Sequence, residues 1–193
     1  VTGVDIAPQP RYVGDAFVQA NALDVDLDGY DFIWASPPCQ AFTMLRHMPT
    51  AHKHPNLIPQ TRRKLVAAGV PWCIENVPGA PLIRPVMLCG TMFDLACERG
   101  ELRRHRLFEY HGFALNAPRA CNHHLPVIGV YGHAGGVENR RKNSTPRPHS
   151  WERREVMEID WMTMAGLSQA IPPAYSRFIG EQAMAALCLE KAA

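Results

Sequence analysis

Cys39 stands directly after two prolines in Ala-Ser-Pro-Pro-Cys-Gln (35–40), at the end of the apolar run 30–35. A structural thiol needs no such clamp, and a zinc ligand usually has a second ligand a few residues away. The arrangement suits a nucleophile held on a stiff loop. Asp5 closes the short run Val-Thr-Gly-Val-Asp-Ile (1–6), and Glu75 lies near the end of a third run, Val-Pro-Trp-Cys-Ile-Glu-Asn-Val (70–77). Each of the three groups therefore stands at or just past the end of an apolar stretch. In an open α/β sheet that is where ligands bind, so all three are expected on one edge of one sheet. A thiolate can add to C6 of a pyrimidine and make C5 a carbon nucleophile, provided an acid engages the ring at N3. Cys39 fits the first role and Glu75 the second. Asp5 suits the ribose diol of a nucleoside cofactor.

The elements that would position these groups follow from pattern. Runs 1–6, 30–35, 70–77 and 105–113 are short, apolar and bounded by turn residues, as buried strands are. Residues 59–70, ended by Gly69, have helical composition. Tyr175, Phe178, Ile179, Gln182 and Ala186 recur at helical spacing after Pro172-Pro173, which predicts a closing helix with one buried face. Strands alternating with helices imply an α/β layered sheet. Residues 44–58 and 132–150 are polar, without periodicity, and read as loops.

The chain has 193 residues, enough for one domain with a sizeable core. It has no membrane-length apolar stretch and no leader, so a soluble, cytoplasmic monomer is expected, in a bacterium or a phage-infected cell. Six scattered cysteines without a paired pattern fit free thiols in a reducing compartment. Residues 99–154 hold 11 Lys/Arg against 4 Asp/Glu, and the remainder 9 against 14. A polyanion-facing region on an acidic scaffold would produce that split; so would a solvated basic loop. Among Cys97, Cys121, His123, His124 and His133 only Cys121-x-His123-His124 is close-spaced, and no metal is expected.

Five blocks in order make the chain resemble the DNA (cytosine-5) methyltransferases, most like their small phage-type members. They are Ser-Pro-Pro-Cys-Gln (36–40), Glu-Asn-Val-Pro-Gly-Ala (75–80), Leu-Cys-Gly-Thr-Met-Phe (88–93), Arg-Arg-His-Arg-Leu-Phe-Glu (103–109), and the stretch 170–182. The resemblance implies a Rossmann-like α/β sheet with helices on both faces. It also implies S-adenosylmethionine as methyl donor and double-stranded DNA as partner, with the target cytosine flipped out. Carried over, Cys39 attacks C6, Glu75 holds N3 and the exocyclic amine, and Asn76 steadies the Pro-Cys loop. Arg104 and Arg106 position the base or a phosphate. Asp5, Ile6, Asn21, Ala22, Pro37 and Tyr175 fall at cofactor-binding positions. Ser36 and Gln40 close a mobile catalytic loop (41–58) on DNA.

The implied organisation is a catalytic core over 1–109, a short basic recognition insert over 110–160, and a returning helical segment over 161–193. Phosphate contacts are expected from Arg140, Arg141, Lys142, Arg147, Arg153 and Arg154, giving salt-sensitive binding. Three features depart from the family. Its opening strand and Phe-x-Gly-x-Gly turn have no counterpart after Val1, and without them poor cofactor binding is expected. Asn21 stands where an acid usually meets the adenine, and Phe-Ile-Gly-Glu-Gln (178–182) replaces Gly-Asn-Ser-Val. A non-catalytic DNA-binding relative, a thymidylate-synthase-like enzyme acting on free nucleotides, and an RNA substrate are the competing readings.

Overall fold

The computed structural model describes residues 1–42, 54–131 and 148–190. In chain order the elements are β1 (Thr2–Asp5), β2 (Ala16–Gln19), β3 (Ile33–Ala35), α1 (Ile58–Ala68), β4 (Trp72–Asn76) and β5 (Val86–Leu88). There follow β6 (Ala96–Cys97), β7 (Gly100–Glu101), β8 (Arg106–His111), α2 (Ser150–Met157), α3 (Met164–Gln169) and α4 (Pro173–Glu190). The fold is mixed α/β with small sheets and few helices. The chain divides into two compact units. One comprises Val1–Pro85, Leu107–Ala114 and Ala186–Ala193; the other comprises Val86–Arg106 and Leu115–Ala185. Residues 86–106, expected within a continuous core over 1–109, thus cluster with the second unit.

In the first unit β3 pairs parallel with β4, Ala35 opposite Ile74, and β4 pairs antiparallel with β8. Every residue of β4 is buried, as expected for a strand flanked on both sides. Helix α1 packs Leu65 against Trp72 and Ile74, with Leu27, Ile33, Ala35 and Leu82 around them. Pro59 fits the first turn of α1, where its missing N–H costs nothing, and Gly69 ends the helix at φ 70°, a left-handed conformation that glycine adopts without strain. A polar clamp adds to this packing. Arg62 of α1 donates from Nε and Nη2 to both carboxylate oxygens of buried Glu109 on β8, at 2.5 and 2.6 Å. Lys64 donates to the carbonyls of Leu23 (2.9 Å) and Val25.

The expectation that Asp5, Cys39 and Glu75 share one sheet is corrected here. β1 pairs only with β2, in a separate two-stranded parallel sheet, Asp5 opposite Gln19. No described strand joins β1 to β3, so the backbone ladder that would unite the two sheets is absent among the described residues.

In the second unit β6 and β7 form a short antiparallel pair. Helix α2 begins at Ser150, inside the stretch read as loop, and its start is capped reciprocally: the His149 N–H donates to Glu152 Oε2 at 2.5 Å. Glu152 is fully buried and ion-paired with Arg99 at 3.1 Å. Thr163 Oγ1 accepts from the Gly166 N–H and caps α3. Along α4, whose last residues from Ala186 belong to the first unit, the buried residues Tyr175, Ile179, Ala183 and Leu187 repeat every four positions. Phe178, Gln182 and Ala186, expected on that face, flank it half-buried.

Candidate functional site

Parallel pairing of β3 and β4 places their carboxyl ends on the same edge. The chain leaves β3 at Ala35, and four residues later reaches Cys39. On β4 the last two residues are Glu75 and Asn76. The loop from 36 to 40 therefore starts beside Glu75. A specific bond fixes it there: Asn76 Nδ2 donates to the Pro37 carbonyl at 2.9 Å, and Asn76 Oδ1 accepts from the Val77 N–H. Asn76 is 1 % exposed, so both bonds are shielded from water. Two prolines fix φ at consecutive positions, and the buried amide fixes the carbonyl between them. The chain then turns over residues 39–42, where the Phe42 N–H donates to the Cys39 carbonyl at 2.9 Å. Cys39 is half-buried and Glu75 buried, while Gln40 and Ser36 are exposed. Ser36 Oγ accepts from the Trp34 indole N–H.

A second thiol lies close in sequence but is chemically quiet. Cys73 is fully buried on β4; burial pushes its pKa far up, and the negative charges of Glu75 and Glu109 push it further. It stays a thiol and cannot compete as nucleophile.

Asp5 and Asn21 converge in the same way on the other sheet. β1 and β2 run parallel, so Asp5 and the segment after Gln19 emerge on one edge, joined by the Ala20 N–H to the Asp5 carbonyl. The Asp5 carboxylate accepts from the Ala7 N–H (2.8 Å) and from Gln9 Nε2 (3.3 Å), using two of its four lone-pair sites. Asn21, by contrast, uses its amide locally: Oδ1 accepts from the Leu23 N–H and Nδ2 donates to Asp24. Ile6 and Ala22 are exposed.

Four expected site residues lie among well-defined partners in the second unit. Arg104 is 1 % exposed, and its guanidinium donates to the carbonyls of Val130 (3.0 Å) and Ser168 (2.7 Å). Tyr175 is fully buried, and its hydroxyl donates to the Arg104 carbonyl at 2.7 Å while its ring packs on Phe93. Both side chains bond to carbonyls within the second unit. Arg154 lies on α2, where Nη1 donates to the Asp160 carbonyl; Arg153 precedes it, half-buried. Both lie on α2, past the stretch 132–150 read as loop. Arg106, the first residue of β8, is half-buried and donates to the His105 carbonyl. Arg140, Arg141, Lys142 and Arg147 lie outside the described residues, as does most of the catalytic loop expected over 41–58.

Sequence reasoning also missed a convergence of sulfur and nitrogen donors in the second unit: Cys89, His105, Cys121 and His123. Only Cys121 and His123 are close in sequence. Cys97 and His124 take no part, and His133 is outside the described residues. Comparison with protein-family models, curated proteins and solved structures finds no match to this chain.

Proposed function

We propose that the chain transfers a methyl group to C5 of cytosine in double-stranded DNA, through a covalent bond between Cys39 and C6. The observation that carries the reading is the edge formed by β3 and β4, where a proline-clamped thiol leaves one strand beside a buried carboxyl on the next. The bond from Asn76 to the Pro37 carbonyl supports it further, because it holds the loop and the carboxyl strand in one piece. On this reading the first unit is the nucleotide-binding half of a Rossmann-like fold, with β1 and β2 as a separate parallel pair.

In the reaction the Cys39 thiolate adds to C6 and the electron pair moves to N3, which the Glu75 carboxyl protonates. Bound S-adenosylmethionine would supply a methyl group on its sulfonium for C5 to take, the S–CH3 bond breaking and S-adenosylhomocysteine leaving. Loss of the C5 proton to a base, departure of the Cys39 thiolate from C6 and return of the N3 proton to the Glu75 carboxylate restore the aromatic ring. Reaching a base inside a duplex requires flipping it out. The basic stretch from 133 to 154 supplies the phosphate contacts that hold the duplex.

The test is transfer of a radiolabelled methyl group to duplex DNA. Cys39→Ala and Glu75→Gln should each lower incorporation by about 100-fold or more. Labelling of DNA that is unaffected by Cys39→Ala would overturn the proposal. The DNA-binding relative without catalysis has one observation in its favour, the commitment of the Asn21 amide to a local turn. It predicts duplex binding without any cofactor-dependent labelling.

A further inference from the structure

The four side chains Cys89, His105, Cys121 and His123 bring their sulfur and ring-nitrogen atoms within 4.8 Å of one another. Cys89 Sγ and His123 Nε2 are already 3.3 Å apart, and the rings of His105 and His123 meet edge-on at 5.2 Å between centroids. A tetrahedron of two thiolates and two imidazoles around zinc has edges of roughly 3.3–3.8 Å, given its bond lengths. The four donors therefore need to close by at most about 1.5 Å to ligate one ion.

The surrounding chain is built to keep them together. Cys89 follows β5 directly in extended conformation, ahead of the tight turn over Gly90–Phe93. A Cβ on Gly90 would come within 2.3 Å of the Leu102 carbonyl, so glycine lets the Cys89 segment lie against the one that leads to His105. The segment carrying Cys121 and His123 is tied at both ends. Arg119 donates to the carbonyls of Met92 (3.0 Å) and Thr91 (3.1 Å) and pairs with Asp94. Glu101 accepts from the N–H groups of His124 (3.3 Å) and Leu125 (3.1 Å). Between these ties, Thr91 Oγ1 lies 3.3 Å from Cys89 Sγ and accepts from the Asn122 N–H. A hydroxyl against a ligating sulfur is the outer contact that a metal thiolate uses.

We infer that Cys89, His105, Cys121 and His123 form a structural zinc site. Four sulfur and nitrogen donors without a carboxylate favour zinc over harder cations and leave no open position for substrate. The ion joins the segment after β5, the approach to β8 and the loop after Ala120 within one unit. It therefore fixes the residue before Arg106. Zinc binding displaces the two thiol protons, leaving a neutral centre.

The test is metal content and cobalt substitution on the full chain. The protein purified with zinc should carry one equivalent. Cobalt(II) replacing it should give the visible bands of a tetrahedral site with thiolate-to-metal charge transfer. Cys121→Ser and His123→Ala should each weaken zinc binding by about 100-fold or more, the loss of a ligand exceeding the 10–100-fold of an outer-shell change. His123 is exposed, so its replacement should leave the fold intact. Cys188→Ser, at an exposed thiol outside the cluster, should leave stoichiometry and spectrum unchanged. Chelation should lower the melting temperature of the parent chain and not that of Cys121→Ser. A folded chain that takes up no zinc would overturn the inference. So would a Cys89–Cys121 disulfide in place of the metal, or zinc uptake that is the same in His123→Ala.

Discussion

At the scale of single residues, Asn76 and Cys39 are predicted to behave in opposite ways. Asn76 is buried and makes two hydrogen bonds, so Asn76→Ala leaves the Pro37 carbonyl without its donor and should cost about 1–3 kcal/mol in urea unfolding. Cys39→Ala removes a half-buried thiol from a loop and should change stability by less than about 1 kcal/mol while removing covalent chemistry. Cys73 should resist alkylation in the native protein, since burial and two neighbouring carboxylates hold it as a thiol; peptide mapping after brief iodoacetamide treatment checks this. Glu101 gives a pH effect. Burial works to raise its pKa, but Arg103 and the N–H groups of Leu125 and His124 outweigh burial and leave it lowered. A carboxylate with a lowered folded pKa contributes stability above its unfolded pKa and loses it as pH falls through the folded value. Thermal unfolding of Glu101→Gln should therefore differ most from the parent at neutral pH, and the gap should shrink as pH falls below the ordinary glutamate range, near about 4.3. A constant gap across that range would contradict the assignment.

At the scale of elements, the clamp between α1 and β8 rests on one ion pair. Arg62→Met leaves Glu109 buried without its cation and should cost about 3 kcal/mol, whereas Arg62→Met with Glu109→Leu should recover much of it. Unfolding of the two variants and the parent separates these outcomes. The elements around Cys39 and Glu75 were legible because their patterns are strong: buried β-branched and aromatic runs ended by proline, glycine or acid. Helix α1 was legible for the same reason, and lies at 58–68 where 59–70 was expected. Strands β2, β5, β6 and β7 have two to four residues, too few for any period to show. Helix α2 was missed because its signal is a cap, the reciprocal pair His149 and Glu152, placed beside a Gly- and Pro-rich stretch. The sheet division between β1 and β3 was beyond pattern reading, since strand ends say nothing of which strands pair. The buried partners of Arg104 and Tyr175 were out of reach for a related reason. Local sequence shows a charge and an aromatic ring, while their buried partners lie 26 to 71 positions away.

At the scale of the whole molecule, the uneven charge bears on the partner. Binding to duplex DNA should weaken steeply with salt, and neutralising Arg140, Arg141, Lys142 and Arg147 together should lower the slope of log K against log salt by about 3–4. Unchanged slope would remove the basic stretch from the interface. No helix among the described residues is long and apolar enough to cross a membrane. The second unit, with its sulfur and nitrogen cluster, supplies a scaffold whose integrity depends on distant residues, and the first carries the thiol and the carboxyl.

The measurement that tests the central claim most directly is covalent trapping on duplex DNA containing 5-fluorocytosine, with S-adenosylmethionine present. It should be run on the chain and on the chain carrying a Phe-x-Gly-x-Gly strand ahead of Val1. Fluorine at C5 blocks the final elimination, so the account predicts a protein–DNA adduct that requires the cofactor and disappears in Cys39→Ala. No adduct from either protein, or an adduct that persists in Cys39→Ala, would contradict it.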